Sequence, residues 1–417
     1  MNKKSASFFN RRSMSPGVFI KRKEFIQLGS LATASLMMPK FLKALENHAA
    51  VPAGNKVVVV LQLSGGNDGL NTVIPVRNDV YYKLRPGLGI QKNKTLSLTD
   101  EVALHPSLAA LKGLYDEGNM AILNNVGYPN PDRSHFRSMD IWHSASQSSE
   151  YWSNGWIGRY LDAQCHGCDK PTQALEVDDV LSLALKGEQN NALAVKDPSR
   201  LFGTSNEKYF RDINKNYGKD HHDEKPVDYL YKTLAETMSS ADYIFKQSRL
   251  HPSLGNYPNT ELGSGLKTIA SLIFSDINTK VYYISLGSFD THVGQDAQQG
   301  RLFTQMSEAI KAFTDDLKKN SRMEDVLMFT FSEFGRRVAQ NASNGTDHGT
   351  ANNMFLISGG LKQKGILNAM PNLEDLNQGD LKYNVDFKSV YATILEKWLS
   401  ADSSRILKAR YNMMDFI

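Results

Sequence analysis

Five short apolar runs recur along this chain, and longer amphipathic segments separate them. The first run, Val57–Leu63, reads Val-Val-Val-Val-Leu-Gln-Leu and is typical of a strand buried on both faces. The other four runs are Met120–Val126, Val281–Leu286, Val326–Phe331 and Met354–Ile357. The segments predicted to be helical are Pro106–Glu117, Tyr229–Arg249, Glu261–Phe274, Leu302–Lys319 and Phe387–Leu399. Because strands alternate with helices, the sequence predicts an α/β fold with a mostly parallel central sheet.

The positive net charge of the chain comes from its beginning. Residues 1–49 carry nine Lys and Arg against two Glu, whereas the rest carries 39 Lys and Arg against 42 Asp and Glu. A nearly neutral body lacks the basic footprint of a nucleic-acid-binding protein, so we expect no nucleic-acid partner. We predict a leader over residues 1–49 and one domain over residues 50–417, with an inserted cap or loop region at about 167–225.

The basic beginning has the order of a signal peptide. Lys21-Arg22-Lys23 precedes an uncharged stretch over residues 26–39, and small residues follow near Ala49. The apolar part is shorter than the about 20 residues of a transmembrane helix. It resembles a twin-arginine leader, although its pair reads Arg-Lys. We predict export by that machinery to the periplasm or cell envelope, with no transmembrane span in the mature chain; Sec export, an uncleaved anchor and a basic cytosolic tail are the alternatives.

The chain has only two cysteines, Cys165 and Cys168. In an exported protein this spacing favours a local disulfide that closes a surface loop. A zinc knuckle would need a second pair of ligands nearby, and no thioredoxin-like context surrounds the pair, so zinc binding and catalytic redox chemistry are the weaker alternatives.

Two short motifs each combine a carboxylate with an imidazole next to a predicted strand. Asp290 and His292 follow the strand Val281–Leu286, and Asp347 and His348 lie in Gly-Thr-Asp-His-Gly before the last predicted strand. The chain has only ten histidines, so two such motifs are informative. Polar loops at the carboxyl ends of parallel strands meet at one edge of a sheet. The sequence therefore predicts a metal site at that edge.

Two further carboxylates follow predicted strands. Asp68 lies in a Gly-rich loop after the first strand, and Glu333 lies directly after the fourth. Mixed oxygen and nitrogen ligands favour zinc or manganese, whereas oxygen ligands alone would indicate calcium or magnesium. For each single residue, a structural ion pair or a helix cap is the alternative role. We predict a divalent ion held by some of Asp68, Asp290, His292, Glu333, Asp347 and His348.

A Pro-rich loop after the second predicted strand carries the candidate catalytic residues. Ser134 precedes a helical pattern, so we expect it at a helix N-cap, which is a sufficient structural role by itself. A hydroxyl at a helix N-terminus beside a divalent ion is also a suitable nucleophile for an anionic ester. Arg133, His135 and Arg336 are the candidates for binding the anion.

These motifs occur together, and in this order, in a known family. The chain contains Gly-Gly-Asn-Asp-Gly-Leu-Asn-Thr, Asp-Arg-Ser-His-Phe, Gly-Trp-Ile-Gly-Arg-Tyr-Leu-Asp, Phe-Asp-Thr-His, Ser-Glu-Phe-Gly-Arg and Gly-Thr-Asp-His-Gly. Over about residues 56–400 it resembles the domain-of-unknown-function 1501 family. The resemblance implies an exported bacterial protein of the alkaline phosphatase and sulfatase superfamily. That in turn implies an αβα sandwich with one or two metals and a Ser, Thr or formylglycine nucleophile.

The match to the superfamily pattern is partial at the site. Asp68 resembles the first-strand aspartate, Ser134 loosely matches the nucleophile, and His348 resembles the final histidine. Where the superfamily has Asp-His-Gly, residues 333–335 read Glu-Phe-Gly, which keeps a carboxylate but loses a histidine. The motif that forms formylglycine is missing from the sequence, so sulfatase chemistry of that type is not implied.

Together these features predict an exported metal-dependent hydrolase of phosphate or sulfate esters. The ion would neutralise a small anionic ester and activate Ser134 or a water molecule. The alternative is a non-catalytic envelope or periplasmic protein that binds or assembles partners and uses the same residues for a structural ion. The phenylalanine at position 334 favours that alternative.

Overall fold

The computed structural model describes residues 54–164, 173–190, 192–216, 238, 240–275 and 279–417. The predicted leader and the two cysteines lie outside the described residues. Within the described ranges, every helix is too short or too polar to cross a lipid bilayer.

A mixed, mostly parallel sheet forms the centre of the molecule. The strands are β1 (Val57–Leu63), β2 (Val73–Pro75), β3 (Leu96–Ser97), β4 (Val102–Leu104), β5 (Met120–Gly127), β6 (Gln173–Glu176), β7 (Leu193–Ala194), β8 (Thr279–Leu286), β9 (Val326–Phe331), β10 (Asn352–Ile357), β11 (Gly365–Ile366) and β12 (Val385–Asp386). In the central sheet the order is β11-β5-β10-β9-β1-β8-β6-β7, with β12 also paired to β5. β10 runs antiparallel to β5 and β9, whereas the other neighbours are parallel. The five predicted strands are confirmed.

Helices cover both faces of this sheet. Their bounds are α1 (Gly69–Thr72), α2 (Asp79–Leu84), α3 (Ala109–Asp116), α4 (His135–Ser144), α5 (Trp156–Gln164), α6 (Pro198–Ser205), α7 (Lys208–Asn216), α8 (240–250), α9 (Glu261–Phe274), α10 (Gln295–Lys319), α11 (Phe387–Thr393) and α12 (Ser403–Ile406). Short 3₁₀ turns span Lys92–Lys94, Pro106–Leu108 and Leu183–Leu185, and a π-turn, Ile394–Trp398, continues α11. The predicted segment 229–237 lies outside the described residues.

Strand β1 shows why the fold has two apolar cores. All seven of its residues are buried. Successive side chains of a strand point to opposite faces, so Val58 and Val60 pack with α4, α5 and α11. Val59 and Leu61 pack on the other face with α3, α9 and α10. The predicted αβα sandwich is therefore confirmed by the layers themselves.

The region predicted as an inserted cap contributes in part to the sheet. β6 pairs in parallel with β8, and β7 pairs with β6, so residues 173–176 and 193–194 extend the central sheet. Short edge strands carry too weak a periodic signal to be separated from loops in the sequence. The inserted cap or loop region at about 167–225 stays a prediction for the rest of that segment, and its residues 217–225 lie outside the described residues. A second, three-stranded sheet, β2-β4-β3, lies beside the first within the described residues.

The register of the central strands positions the site. β1 lies between β8 and β9 and is parallel to both, with Leu63 opposite Leu286 and Gln62 opposite Phe331. The three loops that follow these strands therefore leave the same edge of the sheet. Asp68, Asp290 and Glu333 lie on those loops.

Candidate metal centre

Close backbone contacts bring the loops at this edge together. Gly65 has φ +118°, and a Cβ atom there would lie 2.4 Å from the backbone nitrogen of Asp290. Gly345 lies equally close to the loop after β8, since its Cβ would be 2.2 Å from the carbonyl oxygen of His292. Glycine at both positions allows three loops to meet where any side chain would separate them.

Arg336 fixes this arrangement from inside. Its buried guanidinium donates to the carbonyl oxygens of Gly66 (2.6 Å), Phe289 (3.0 Å) and Thr346 (2.8 Å). It also donates to Oδ1 of Asp290 at 2.7 Å. Partial burial raises the pKa of Asp290, but the hydrogen bond and charge of Arg336 outweigh that effect and lower it overall. Arg336 was predicted to bind a substrate anion; the structure corrects this, because the guanidinium is enclosed by the protein's own carbonyls.

Three histidines surround the carboxylate of Asp290. The possible ligand atoms of His135, Asp290 and His348 all lie within 4.8 Å of one another. Nε2 of His292 lies 3.1 Å from Oδ1 of Asp290 and 2.9 Å from Nε2 of His348. Nε2 of His348 is 3.3 Å from the same carboxylate oxygen. The structure thus brings Asp290, His292 and His348 together, as the sequence predicted, and adds His135.

A hydrogen-bond acceptor lies next to Nδ1 of each of these imidazoles. Nδ1 of His348 lies 2.8 Å from the carbonyl oxygen of Arg133. Nδ1 of His292 lies 3.2 Å from Oδ1 of Asp347, which also accepts from Asn341. The Asn341 hydrogen bond is the main cause that lowers the pKa of Asp347. Acceptors at Nδ1 hold the proton there and leave Nε2 as a lone-pair donor. Asp347 was predicted as a metal ligand; in the structure this oxygen orients the His292 imidazole and does not face the cluster.

Glu333 has the same role behind His135. Its Oε1 accepts from Nδ1 of His135 at 2.9 Å and from the backbone N–H of Gly65 at 2.8 Å. The Glu333 hydrogen bond is the main cause that raises the pKa of His135. Glu333 was predicted as a metal ligand; in the structure its carboxylate instead contacts Nδ1 of His135. His135 was predicted as a catalytic residue that contacts the anion or the leaving group, and its proximity to Asp290 could not be read from the sequence.

Phe334 forms the apolar floor of the cluster. Its ring centroid lies 4.9 Å from that of His135 and 4.6 Å from that of His348. Burial is the main cause that lowers the pKa of His348, which disfavours the imidazolium form. A ring that has no metal-ligating atom thus lies against two of the histidines.

The carboxylate of Asp68 forms a buried ion pair away from the histidines. Its carboxylate pairs with the guanidinium of Arg85 at 2.5 Å and 3.0 Å, and both side chains are fully buried. Oδ1 also caps α1 by accepting from the N–H of Leu70, and Oδ2 accepts from Gln295. Asp68 was predicted as a metal ligand; the structure corrects this to a buried ion pair and cap, because its charge is already compensated.

Arg133 and Ser134 directly precede His135; the carbonyl oxygen of Arg133 contacts His348, and Ser134 is exposed. Ser134 occupies the N-cap of α4, as predicted, yet among the described residues its side chain makes no capping hydrogen bond. Its backbone N–H instead donates to Asp132 at 2.6 Å. Arg133 forms an ion pair with the buried Asp380 and keeps 39% of its side-chain surface exposed.

A cavity of about 380 Å³ shares its loops with the cluster. It is lined on one side by Asn130 and Pro131, which precede Ser134, and on the other by Thr350 and Ala351, which follow His348. Further walls come from Leu381, Lys382 and Tyr383. A half-open, mostly apolar space beside convergent polar groups has the form of a small-molecule site.

Comparison with known proteins gives one family and several distant structures. The chain matches the model of the family described as "Protein of unknown function (DUF1501)" over residues 55–410. No curated protein matches the chain in sequence.

Similar solved structures share little sequence with this chain. PsFucS1 sulfatase from Pseudoalteromonas sp. is 11% identical, with 92% of this chain and 72% of that one covered and a TM-score of 0.36. The C-terminal periplasmic domain of EcEptC from Escherichia coli, in complex with Zn, is 9% identical, with 73% and 74% covered and a TM-score of 0.35. A protein in the alkaline phosphatase superfamily from Vibrio parahaemolyticus is 10% identical, with 83% and 71% covered and a TM-score of 0.30.

Proposed function

Since the chain belongs to the DUF1501 family, whose description names no reaction, we propose from the site itself that it is a metal-dependent hydrolase of phosphate or sulfate esters. His135, Asp290 and His348 would hold a divalent ion, with His292 as a fourth ligand. This ligand set replaces the six-residue set predicted from the sequence.

One observation carries the proposal. The Nε2 atoms of His292 and His348 face each other at 2.9 Å, and Oδ1 of Asp290 faces both. With both Nδ1 protons held by acceptors, three lone-pair donors converge on one small region. Such donors repel each other unless a cation lies among them. Burial lowers the pKa of His348, which makes a proton a poor substitute for a metal ion.

The donor set favours zinc or manganese. Imidazole nitrogens and one carboxylate are borderline ligands, and calcium or magnesium would prefer oxygen alone. The carboxylates of Glu333 and Asp347 lie behind His135 and His292, an arrangement that fixes tautomers and raises ligand basicity in metal sites. Because Phe334 fills the place of a further ligand, we propose one ion and not two.

The chain's own groups suggest how an ester would be handled. A divalent ion bound here would act as a Lewis acid and neutralise the anionic ester. The half-exposed guanidinium of Arg133 would bind the remaining ester oxygens. The Ser134 hydroxyl is exposed at the N-terminus of α4, where a developing anion is stabilised by the helix dipole. We therefore keep Ser134 as the candidate nucleophile.

Export belongs to the same proposal. Residues 1–49 have the charge order of a leader, and we propose a periplasmic or cell-envelope location by the twin-arginine route. Residues 1–55 fused to a reporter that is active only outside the cytoplasm should give signal. The variant Arg22→Ala/Lys23→Ala should abolish it, whereas a silent wild-type fusion would contradict export.

Metal analysis tests the ligand set. The wild-type protein, purified without chelator, should contain about one divalent ion per chain. His348→Ala should reduce metal affinity by more than the about 10–100-fold that loss of a supporting residue costs. His251→Ala, which removes an exposed histidine, is the matched control and should keep the ion. Equal metal content in both variants would refute the assignment.

Turnover tests the nucleophile. Ser134→Ala should abolish hydrolysis of an aryl phosphate or aryl sulfate and leave the metal content unchanged. If Ser134 only occupies the N-cap position, the variant should remain active and keep nearly all of its stability, because the serine side chain makes no capping hydrogen bond that alanine would remove. A wild-type protein that binds metal but hydrolyses no ester in a broad panel would favour the alternative, a non-catalytic envelope protein with a structural ion.

A further inference from the structure

Two large apolar side chains are exposed beside the cluster. Phe136 is 87% exposed and directly follows His135, and Val293 is 70% exposed and directly follows His292. Single exposed apolar residues are common and need no explanation. Here, however, each one follows a candidate ligand of the same ion.

The geometry makes them parts of one rim. The ring of His348 lies between the two neighbouring imidazoles, with centroids 4.4 Å from His135 and 4.7 Å from His292. Phe136 and Val293 extend from those two flanking residues, one on the first turn of α4 and one just before α10. We call these two exposed side chains the apolar rim, because each directly follows an imidazole that contacts His348.

Local structure keeps Phe136 out of the core. The next two residues of α4, Arg137 and Ser138, are buried, so the helix already directs its inner face to the sheet. A phenylalanine on the outer face loses the hydrophobic stabilisation that it would gain inside. Its position is explained if a ligand covers it.

The remaining surroundings combine charge with apolar surface. Arg133 offers a half-exposed cation at the entrance, and Phe334 forms an apolar floor below the histidines. The neighbouring cavity adds Pro131, Leu381 and Tyr383. The ion and Arg133 would bind an anionic head group. An apolar organic group would cover the rim, whereas a strongly hydrated one would leave the rim in contact with water.

We propose that the substrate is an amphiphilic monoester, in which a phosphate or sulfate head carries an alkyl or aryl group that covers Phe136 and Val293. This inference rests on the proposed function. In the first step the Ser134 oxygen bonds to phosphorus or sulfur, the P–O or S–O bond to the organic group breaks, and the apolar alcohol leaves with the serine proton. Water then replaces the serine oxygen, returns a proton to it, and the inorganic anion is released.

Binding of non-hydrolysable analogues tests this without turnover. Zinc-loaded full-length protein is titrated calorimetrically with methyl-, butyl- and hexylphosphonate below their aggregation concentrations. Affinity should rise by up to about fourfold for each methylene that the rim covers, which corresponds to about 0.8 kcal/mol per CH₂. Phe136→Ser/Val293→Ser should bind methylphosphonate as the wild type does and lose most of this gain. Leu254→Ser removes a side chain that is 83% exposed elsewhere and should keep the gain.

The outcomes separate the two levels of the proposal. If methylphosphonate binds but a longer chain adds no affinity, the amphiphilic substrate is refuted and the hydrolase proposal stands. A gain with chain length that survives in the double variant would also refute the role of the rim. If no phosphonate binds the zinc-loaded protein, the proposed ester site itself falls, and this inference falls with it.

Discussion

Replacing Glu333 by glutamine should weaken metal binding while leaving the fold intact. Oε1 of Glu333 accepts from His135 at 2.9 Å and from the N–H of Gly65 at 2.8 Å. A glutamine carbonyl can accept both bonds. Its amide can donate to Oγ of Ser332, which lies 3.3 Å from Oε2 and itself donates to Leu63. The substitution therefore removes one negative charge and little else.

The expected magnitude follows from that charge. Without the carboxylate, Nε2 of His135 becomes a weaker base and ligand. A supporting carboxylate in a metal site contributes about 10–100-fold to metal affinity, or about 1.4–2.8 kcal/mol at about 1.4 kcal/mol per decade. Glu333→Ala should do more, because the part-buried N–H of Gly65 then also loses its acceptor, which adds a loss of stability of up to about 1–3 kcal/mol.

Two measurements check this prediction. Competition with a chromophoric zinc chelator gives the affinity, and thermal unfolding of the metal-free proteins gives the stability. Zinc affinity of Glu333→Gln within twofold of wild type, at equal stability, would refute the role of the carboxylate. The pKa of His135, measured by NMR titration of the metal-free protein, provides an independent test of the role of the carboxylate.

The sign of the pH effect is fixed by the direction of the His135 shift. Its pKa is raised above the ordinary 6.5, chiefly by Glu333. The stabilisation by this pair is therefore complete below pH 6.5 and is lost as pH rises through the raised pKa. Glu333→Gln should lower the pKa of His135 and reduce that pH-dependent part of the stability of the metal-free protein.

Three further substitutions have definite expectations. Asp68→Asn leaves Arg85 as a buried cation without its carboxylate partner and should cost about 3–5 kcal/mol in denaturant unfolding, while the zinc affinity of the folded protein should equal that of the wild type. Burial raises the pKa of Glu176 to about 8, so the free energy of unfolding of the wild type should fall between about pH 5 and 8, by up to about 1.4 kcal/mol per pH unit. Glu176→Gln should flatten this dependence of stability on pH. Parallel pH profiles of the wild type and the variant would contradict the prediction. Gly345→Ala should displace the backbone from His292 and lower zinc affinity at least about tenfold; unchanged affinity would show that the loop contact is not needed.

Predictions from local sequence patterns succeeded where the pattern itself determines the structure that forms. The run Val57–Leu63 is apolar at nearly every position, and such a run is stable only as a strand covered on both faces, which is how β1 lies. The loops with Asp290, His292 and His348 were found for a similar reason. Polar, Gly-flanked segments after parallel strands can only lie at the sheet edge.

Predictions of individual roles failed where the role depends on a partner far along the chain. Asp68 and Asp290 look alike in sequence, but one meets Arg85 in the core and the other meets three imidazoles. Glu333 faces Gly65, which is 268 positions away, and this contact turns its carboxylate behind His135. No local signal distinguishes these outcomes.

The sequence by itself thus determined the layers of the fold, the edge that carries the site and most of the residues gathered there. Those features follow from hydrophobic periodicity and strand direction, which act over a few neighbouring residues. The tertiary structure alone decided that Arg336 binds backbone carbonyls, that β10 runs antiparallel and that His135 joins the cluster. These depend on atomic distances between loops, and such distances are fixed only when the strands between them are packed.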